Sequence, residues 1–133
     1  PEIVKPEFEG GAAIGALRQI VVADTDEEAL AIAGPAALKH HEQMNWLRNK
    51  HGVSEHAARL NVARSSTVEG MMKEGALIAG SPKTVLAEIQ RQTDVLGANY
   101  ILAYMMFGDM TIDQSMRSLS LFHSDVMPAI DRM

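Results

Sequence analysis

Cysteine is absent from the 133 residues, which excludes a disulfide framework, a thiolate zinc site and a cysteine nucleophile. Aromatic residues are scarce at 5%, so the nine methionines must help fill apolar volume. The twelve basic residues are scattered and the net charge is -5 with a pI near 5.5. A nucleic-acid partner, which needs clustered Lys and Arg, is therefore not expected. No apolar stretch reaches the roughly 18 residues of a membrane span. The opening Pro1-Glu2-Ile3-Val4-Lys5-Pro6-Glu7 lacks the apolar core of a secretory signal and the chain lacks an initiator Met. The expectation is a processed, trimmed or excerpted protein of the cytoplasm.

What is present is an alternating pattern. Residues 1–17, with two prolines and Gly10-Gly11, read as an irregular leading segment. Arg18-Gln19-Ile20-Val21-Val22-Ala23 is a short β-branched run of the kind found in buried parallel strands. Thr25 with Glu28 predicts a capping box, and Asp26, Glu27 and Glu28 suit the positive end of a helix. That helix carries apolar positions at Leu30, Ala33, Ala37, Leu38 or His41, Met44 and Leu47, and closes at His51-Gly52. Gly34-Pro35 should kink or split it, because proline lacks the N–H and clashes with the preceding turn.

Residues 52–75 are the least regular. Ser54 is placed to cap a short helix through Leu60, and Ser66 another over 67–73, with the polar Asn61-Val62-Ala63-Arg64-Ser65 between them. So long a connection is either functional or mobile, and residues 52–74 are expected to be the most mobile after the N-terminus. A second strand follows at 76–79. It ends in Gly80-Ser81-Pro82, with Ser81 as N-cap and Pro82 at the first helical position. Val85, Leu86, Ile89 and Leu96 mark the buried stripe of that helix and Gly97 its stop. A third strand spans 99–107. Thr111-Ile112-Asp113-Gln114 is a second capping box, opening a last helix with Met116, Leu119, Phe122 or His123, Val126 and Ile130 on one face.

Three strands alternating with amphipathic helices imply an α/β fold with right-handed crossovers and a parallel sheet. Three units with helices on one side leave a strand face bare, exposing Ile20, Val22, Ile101 and Met105 or their alternates. The chain is thus expected to pair with a further part of its fold or with a second copy of itself.

Four segments in order carry a resemblance: Val22-Ala23-Asp24-Thr25-Asp26-Glu27-Glu28-Ala29, Gly80-Ser81-Pro82-Lys83-Thr84-Val85, Leu96-Gly97-Ala98-Asn99-Tyr100, and the close from Ser118 through Leu121-Phe122-His123-Ser124-Asp125-Val126-Met127-Pro128. Together they resemble the C-terminal part of the bacterial-luciferase-like flavin-dependent monooxygenases, over residues 18–133. Lys83 departs from the Glu more usual at that turn. The resemblance implies a partial TIM (β/α)8 barrel of which this chain supplies strands six, seven and eight, the last three βα units. It also implies that the complete enzyme oxidises a small organic substrate with reduced FMN and O2, with a flavin reductase as a source of reduced flavin. The flavin-contacting residues of the family lie mostly on the first five strands, so no catalytic residue is carried over and the isolated chain is expected to be inactive. Two alternatives stand beside it: a deazaflavin-dependent oxidoreductase of the same fold, and a non-catalytic truncated binding or assembly module.

Barrel sites lie at the C-terminal ends of strands. Met106 and Phe107 are candidates to wall a flavin or substrate cavity, the plainer reading being strand packing. Gly80 and Ser81 at a helix N-terminus have the donors of an anion site, and the plainer reading is an N-cap. In the resembling proteins the connection between strands six and seven includes a mobile lid. Residues 48–74 are its counterpart here, where Arg48, Lys50, Arg59 and Arg64 could meet an anionic flavin or substrate, the equally weighted plainer reading being a solvated connector with ordinary surface charges. No metal is expected. His40, His41, His51 and His56, even with Glu42 and Glu55, match no zinc spacing, and adjacent His40 and His41 diverge by about 100° on a helix.

Overall fold

The computed structural model describes residues 14–52 and 66–130, without the side chains of 47–49. Strand β1 (Gly15–Val22) leads into helix α1 (Asp26–His51). After the undescribed stretch come α2 (Val68–Lys73), β2 (Leu77–Gly80), α3 (Pro82–Leu96) and β3 (Tyr100–Tyr104). The chain ends in α4 (Ile112–Leu121), which runs through a π-helical turn (Phe122–Val126) into α5 (Met127–Ile130). The strands form one parallel sheet in the order β2-β1-β3.

That order corrects the barrel expectation, in which β2 would lie between its sequence neighbours. The physical reason is strand length. The eight residues of β1 serve both others: Gln19–Val22 pair with Leu77–Gly80, and Gly15–Gln19 pair with Tyr100–Tyr104. Residues 15–17 therefore belong to the sheet and not to the leading segment, and β3 stops at Tyr104, short of the expected 107.

Alternation along β1 sorts the core into two layers. Val21, Ala23, Leu77 and Ala79 pack beneath Ala29, Ala33, Ala36 and Ala37 of α1 and Met71 of α2. Ile20, Val22 and Ile78 pack on the other face beneath Val85 and Ile89 of α3, with Phe122 and Val126 of the last helix. Helices thus cover both faces, which corrects the expectation of a one-sided arrangement. Ile20 and Val22 are buried, and Ile101 and Met105 pack against the second cluster.

The capping signals are seen in the structure. Thr25 Oγ1 accepts the Glu28 N–H at 3.1 Å, and both halves of the Thr111–Gln114 box are formed. Thr67, not Ser66, caps α2 by accepting the Gly70 N–H. Gly97 ends α3 with φ 61, in the left-handed region that glycine enters without penalty.

The stripes differ. α1 continues unbroken past Pro35, so the expected split does not occur, and it buries alanines while Leu30, Leu38 and Met44 are exposed. Small residues let the helix lie close on the sheet and let the turn after β3 press on it: a Cβ at Gly108 would collide with the Ala36 carbonyl. In α3 the last buried position is Gln92, not Leu96. Its Nε2 donates to Gly75 O at 3.1 Å and Glu88 Oε1 at 2.7 Å, and its Oε1 accepts from Arg18 Nε. α4 buries Ser115 and Ser118 and exposes Met116 and Leu119, one position off the expected face. The π turn widens the helix so that Phe122 and Val126 still reach the core. The expected helix from Ser54 and the polar centre 61–65 lie outside the described residues.

Candidate functional site

The C-terminal ends of β1, β2 and β3 gather Ala23-Asp24, Gly80-Ser81 and the run Met105-Met106-Phe107-Gly108. Where strand order reverses in an open parallel sheet, a crevice opens at this end. Here the order reverses between β1 and β3, whose pairing stops at Gln19 and Tyr104. Beyond that point Val22 has no strand on its β3 side among the described residues, and its N–H donates to Ser118 Oγ at 2.8 Å. A helix side chain thus replaces the missing strand partner. Arg117 pairs with Asp24 just past the end of β1. One turn before Ser118, the Ser115 hydroxyl is buried without a hydrogen-bond partner among the described residues.

The Gly80-Ser81 turn is already served by a carboxylate of its own chain. Asp26, in the first turn of α1, accepts the Ser81 N–H on Oδ1 at 2.6 Å and the Thr84 hydroxyl on Oδ2 at 2.9 Å. These bonds, the Ser81 backbone first, hold the Asp26 carboxyl below the usual carboxylate range. Gly80 is required for this closeness, since a Cβ there would stand 2.7 Å from Thr84 Cγ2 and 2.9 Å from Asp26 Oδ1. Ser81 itself makes no side-chain cap bond to the helix; its hydroxyl donates to Thr84 Oγ1 at 3.2 Å. Sequence reasoning treats Asp26 as a solvated helix-start acid. Its partners lie 55 and 58 residues away, beyond any local signal.

Met106 and Phe107, adjacent in sequence, part company. Phe107 is buried against the α1 alanines, whereas Met106 is exposed. Phe107 also joins Tyr104 and His40 in an aromatic cluster, the three ring pairs lying 5.7, 5.7 and 6.4 Å apart. Burial pushes the His40 imidazolium down, with a further push from the neighbouring His41. A cavity of about 760 Å³ adjoins this cluster, between the second half of α1 and the first half of β1, lined by Leu17, Gln19, His40, Met44, Leu96 and Tyr104 among others.

Of the basic lid candidates, Lys50 lies on α1 with its ammonium 4.7 Å from the Trp46 ring centroid. Arg48 is on the same helix with its side chain outside the described set, and Arg59 and Arg64 are outside the described residues. The lid segment 48–74 is helical at both ends, in α1 and α2. His40 turns to Tyr104 while His41 meets Asn45, so the adjacent histidines do not converge. Among the described residues no three His, Asp or Glu side chains gather as a metal site. No helix among them is long and apolar enough to cross a membrane.

No protein-family profile matches the chain. An uncharacterized protein of Sinorhizobium fredii, y4wF, is 28% identical over 118 residues, which is 88% of this chain and 33% of that protein. Two solved structures share the fold. The oxygenating constituent of 3,6-diketocamphane monooxygenase from Pseudomonas putida, a type II Baeyer–Villiger monooxygenase in complex with FMN, superposes with a TM-score of 0.58 at 21% identity, over 86% of this chain and 32% of that one. The monooxygenase RslO1 from Streptomyces bottropensis gives 0.52 at 22% identity, over 87% and 30%. The chain spans about a third of the length of each of these proteins.

Proposed function

We propose that this chain is the C-terminal portion of a luciferase-like flavin-dependent monooxygenase. The complete polypeptide would oxidise a small organic substrate with reduced FMN and O2 in the cytoplasm. The observation that carries the reading is the double match to monooxygenases, one of them holding FMN, over nearly all of this chain and about a third of each. The ordered sequence motifs point to that family independently.

The residues of this third do not fit the flavin phosphate. The donors at Gly80-Ser81 face Asp26, and an added phosphate there would meet a carboxylate held in its ionised form. We therefore assign the phosphate to the remainder of the polypeptide. Met106, exposed just past β3, is proposed as a wall of the flavin or substrate cavity, with Phe107 anchoring its turn to α1. Arg48, Arg59 and Arg64 are proposed as the anion-facing residues of the lid. The FMN of the Pseudomonas neighbour favours flavin over deazaflavin.

The test is oxygen uptake by the polypeptide of the complete reading frame, supplied with FMN and a flavin reductase, together with the absorbance of its bound cofactor. A flavin spectrum and substrate-dependent oxygen consumption support the reading. A deazaflavin spectrum moves the protein to the hydride-transferring alternative. A reading frame that opens just before Pro1 makes it a non-catalytic module.

A further inference from the structure

The turn after β3 is seated on α1 by close packing. Phe107 and Met110 are 4% and 7% exposed, both among the α1 alanines. Between them Gly108 lies so near the helix that a Cβ would stand 2.0 Å from the Ala36 carbonyl oxygen. The turn is closed by the Met110 N–H, which donates to Phe107 O at 3.2 Å. His40, one helical turn beyond Ala36, meets the Tyr104 and Phe107 rings in T-shaped contacts. It is the α1 side chain of this contact that titrates near neutral pH.

The groups around His40 give a proton no anchor. His41, its neighbour on α1, repels a second positive charge. Tyr104 faces it from β3. Arg18 of β1 and Glu74 after α2 line the adjoining cavity, and Asp109 of the turn acts on Lys39. Neither carboxylate bears on His40. Burial and His41 do, and both disfavour the imidazolium.

We infer that the turn running from Met106 to Met110 is a proton-sensitive latch, seated on α1 over a neutral His40 and released when that imidazole takes up a proton. The sign follows from what each state does to the ring. Seating Phe107 beside Tyr104 takes the imidazole further out of water, which favours its neutral form. By reciprocity, protonation favours the unseated turn by the same factor. His41 stays on α1 in both states, so only the burial part of the effect couples to the turn. The seated state holds its full advantage above the ordinary imidazole value of 6.5 and loses it as pH falls through the lower midpoint of the folded chain. Each unit between the seated and unseated midpoints is worth roughly tenfold in the ratio of the two states. The latch works without flavin; only its consequence, displacement of the wall formed by Met106, rests on the proposed function.

NMR spectroscopy of the flavin-free 133-residue chain between about pH 8 and pH 5 tests this, following the His40 ring, the Gly108 amide and hydrogen exchange at Met110. His40 should titrate with a midpoint below 6.5, and Gly108 should shift with the same midpoint. Protection of the Met110 amide, corrected for intrinsic exchange, should fall by up to about tenfold per unit of the His40 displacement. That of Ile89, in the core under α3, should stay constant. His40→Phe keeps an aromatic ring in place and should make Gly108 and Met110 indifferent to pH over this range. Should that variant fail to fold, His40→Gln, uncharged throughout, carries the same comparison. A His40 midpoint at or above 6.5 overturns the inference, because the rings would then be holding the imidazolium as a cation–π pair. So does a turn that ignores the His40 midpoint, or one that releases with the same pH profile in the variant.

Discussion

At the residue scale, two serines on one helix face make opposite contributions. Ser118 Oγ is the acceptor for a buried strand N–H that has no strand partner among the described residues, and its removal leaves that donor unpaired in the core. Ser118→Ala should cost about 1–3 kcal/mol. Ser115 is buried with a hydroxyl that no described group meets, so Ser115→Ala removes a desolvated polar group and should be neutral or stabilising. Urea unfolding of both variants checks the contrast, and equal losses would show that Ser118 acts only by volume. Asp26 gives a second test. Its folded-state carboxyl lies below the ordinary value, so it adds stability above the unfolded-state value and loses it as pH falls through the folded one. Asp26→Asn should therefore lower the melting temperature near neutral pH, and the gap to the parent should close on acidification. A gap constant from pH 7 to pH 2 would contradict the Ser81–Thr84 attachment.

At the scale of elements, the sequence is legible where the cause is local. Thr25, Thr111 with Gln114, and Gly97 mark helix ends through bonds or dihedral angles made within a few residues, and all sit where the spacing places them. The burial stripes are less legible because the neighbour decides them. α1 buries Ala29, Ala33, Ala36 and Ala37 since the turn after β3 demands close approach, and that demand is invisible in the periodicity of Leu30, Leu38 and Met44. Sheet order is equally non-local: nothing in the apolar runs says that β1 will serve two partners. Of the candidate site, the strand-end turns could be placed from sequence, but the engagement of Ser81 by Asp26 and the burial of Phe107 could not. The close approach is testable through two glycines of equal φ. Gly97 and Gly108 both have φ 61, but a Cβ meets nothing within 4 Å at Gly97 and the Ala36 carbonyl at Gly108. Gly97→Ala should cost about 1–2 kcal/mol for its left-handed backbone alone. Gly108→Ala adds a backbone collision, costing on the order of 1–3 kcal/mol more. Thermal unfolding decides it, and equal costs would mean that the turn is free to move off α1.

At the scale of the whole molecule, the three βα units have cores on both faces of the sheet, yet β3, the outer strand among the described residues, keeps Tyr100, Leu102 and Tyr104 exposed. Their phosphate-shaped turn is filled from within by Asp26. Both facts fit a piece that supports a flavin site built elsewhere. Calorimetric titration of FMN into the 133-residue chain and into the polypeptide of the complete reading frame tests that division most directly. The account predicts no measurable complex with the short chain and a stoichiometric one with the complete polypeptide. A stoichiometric complex with the short chain at micromolar concentration or below, or none with the complete polypeptide, would contradict it.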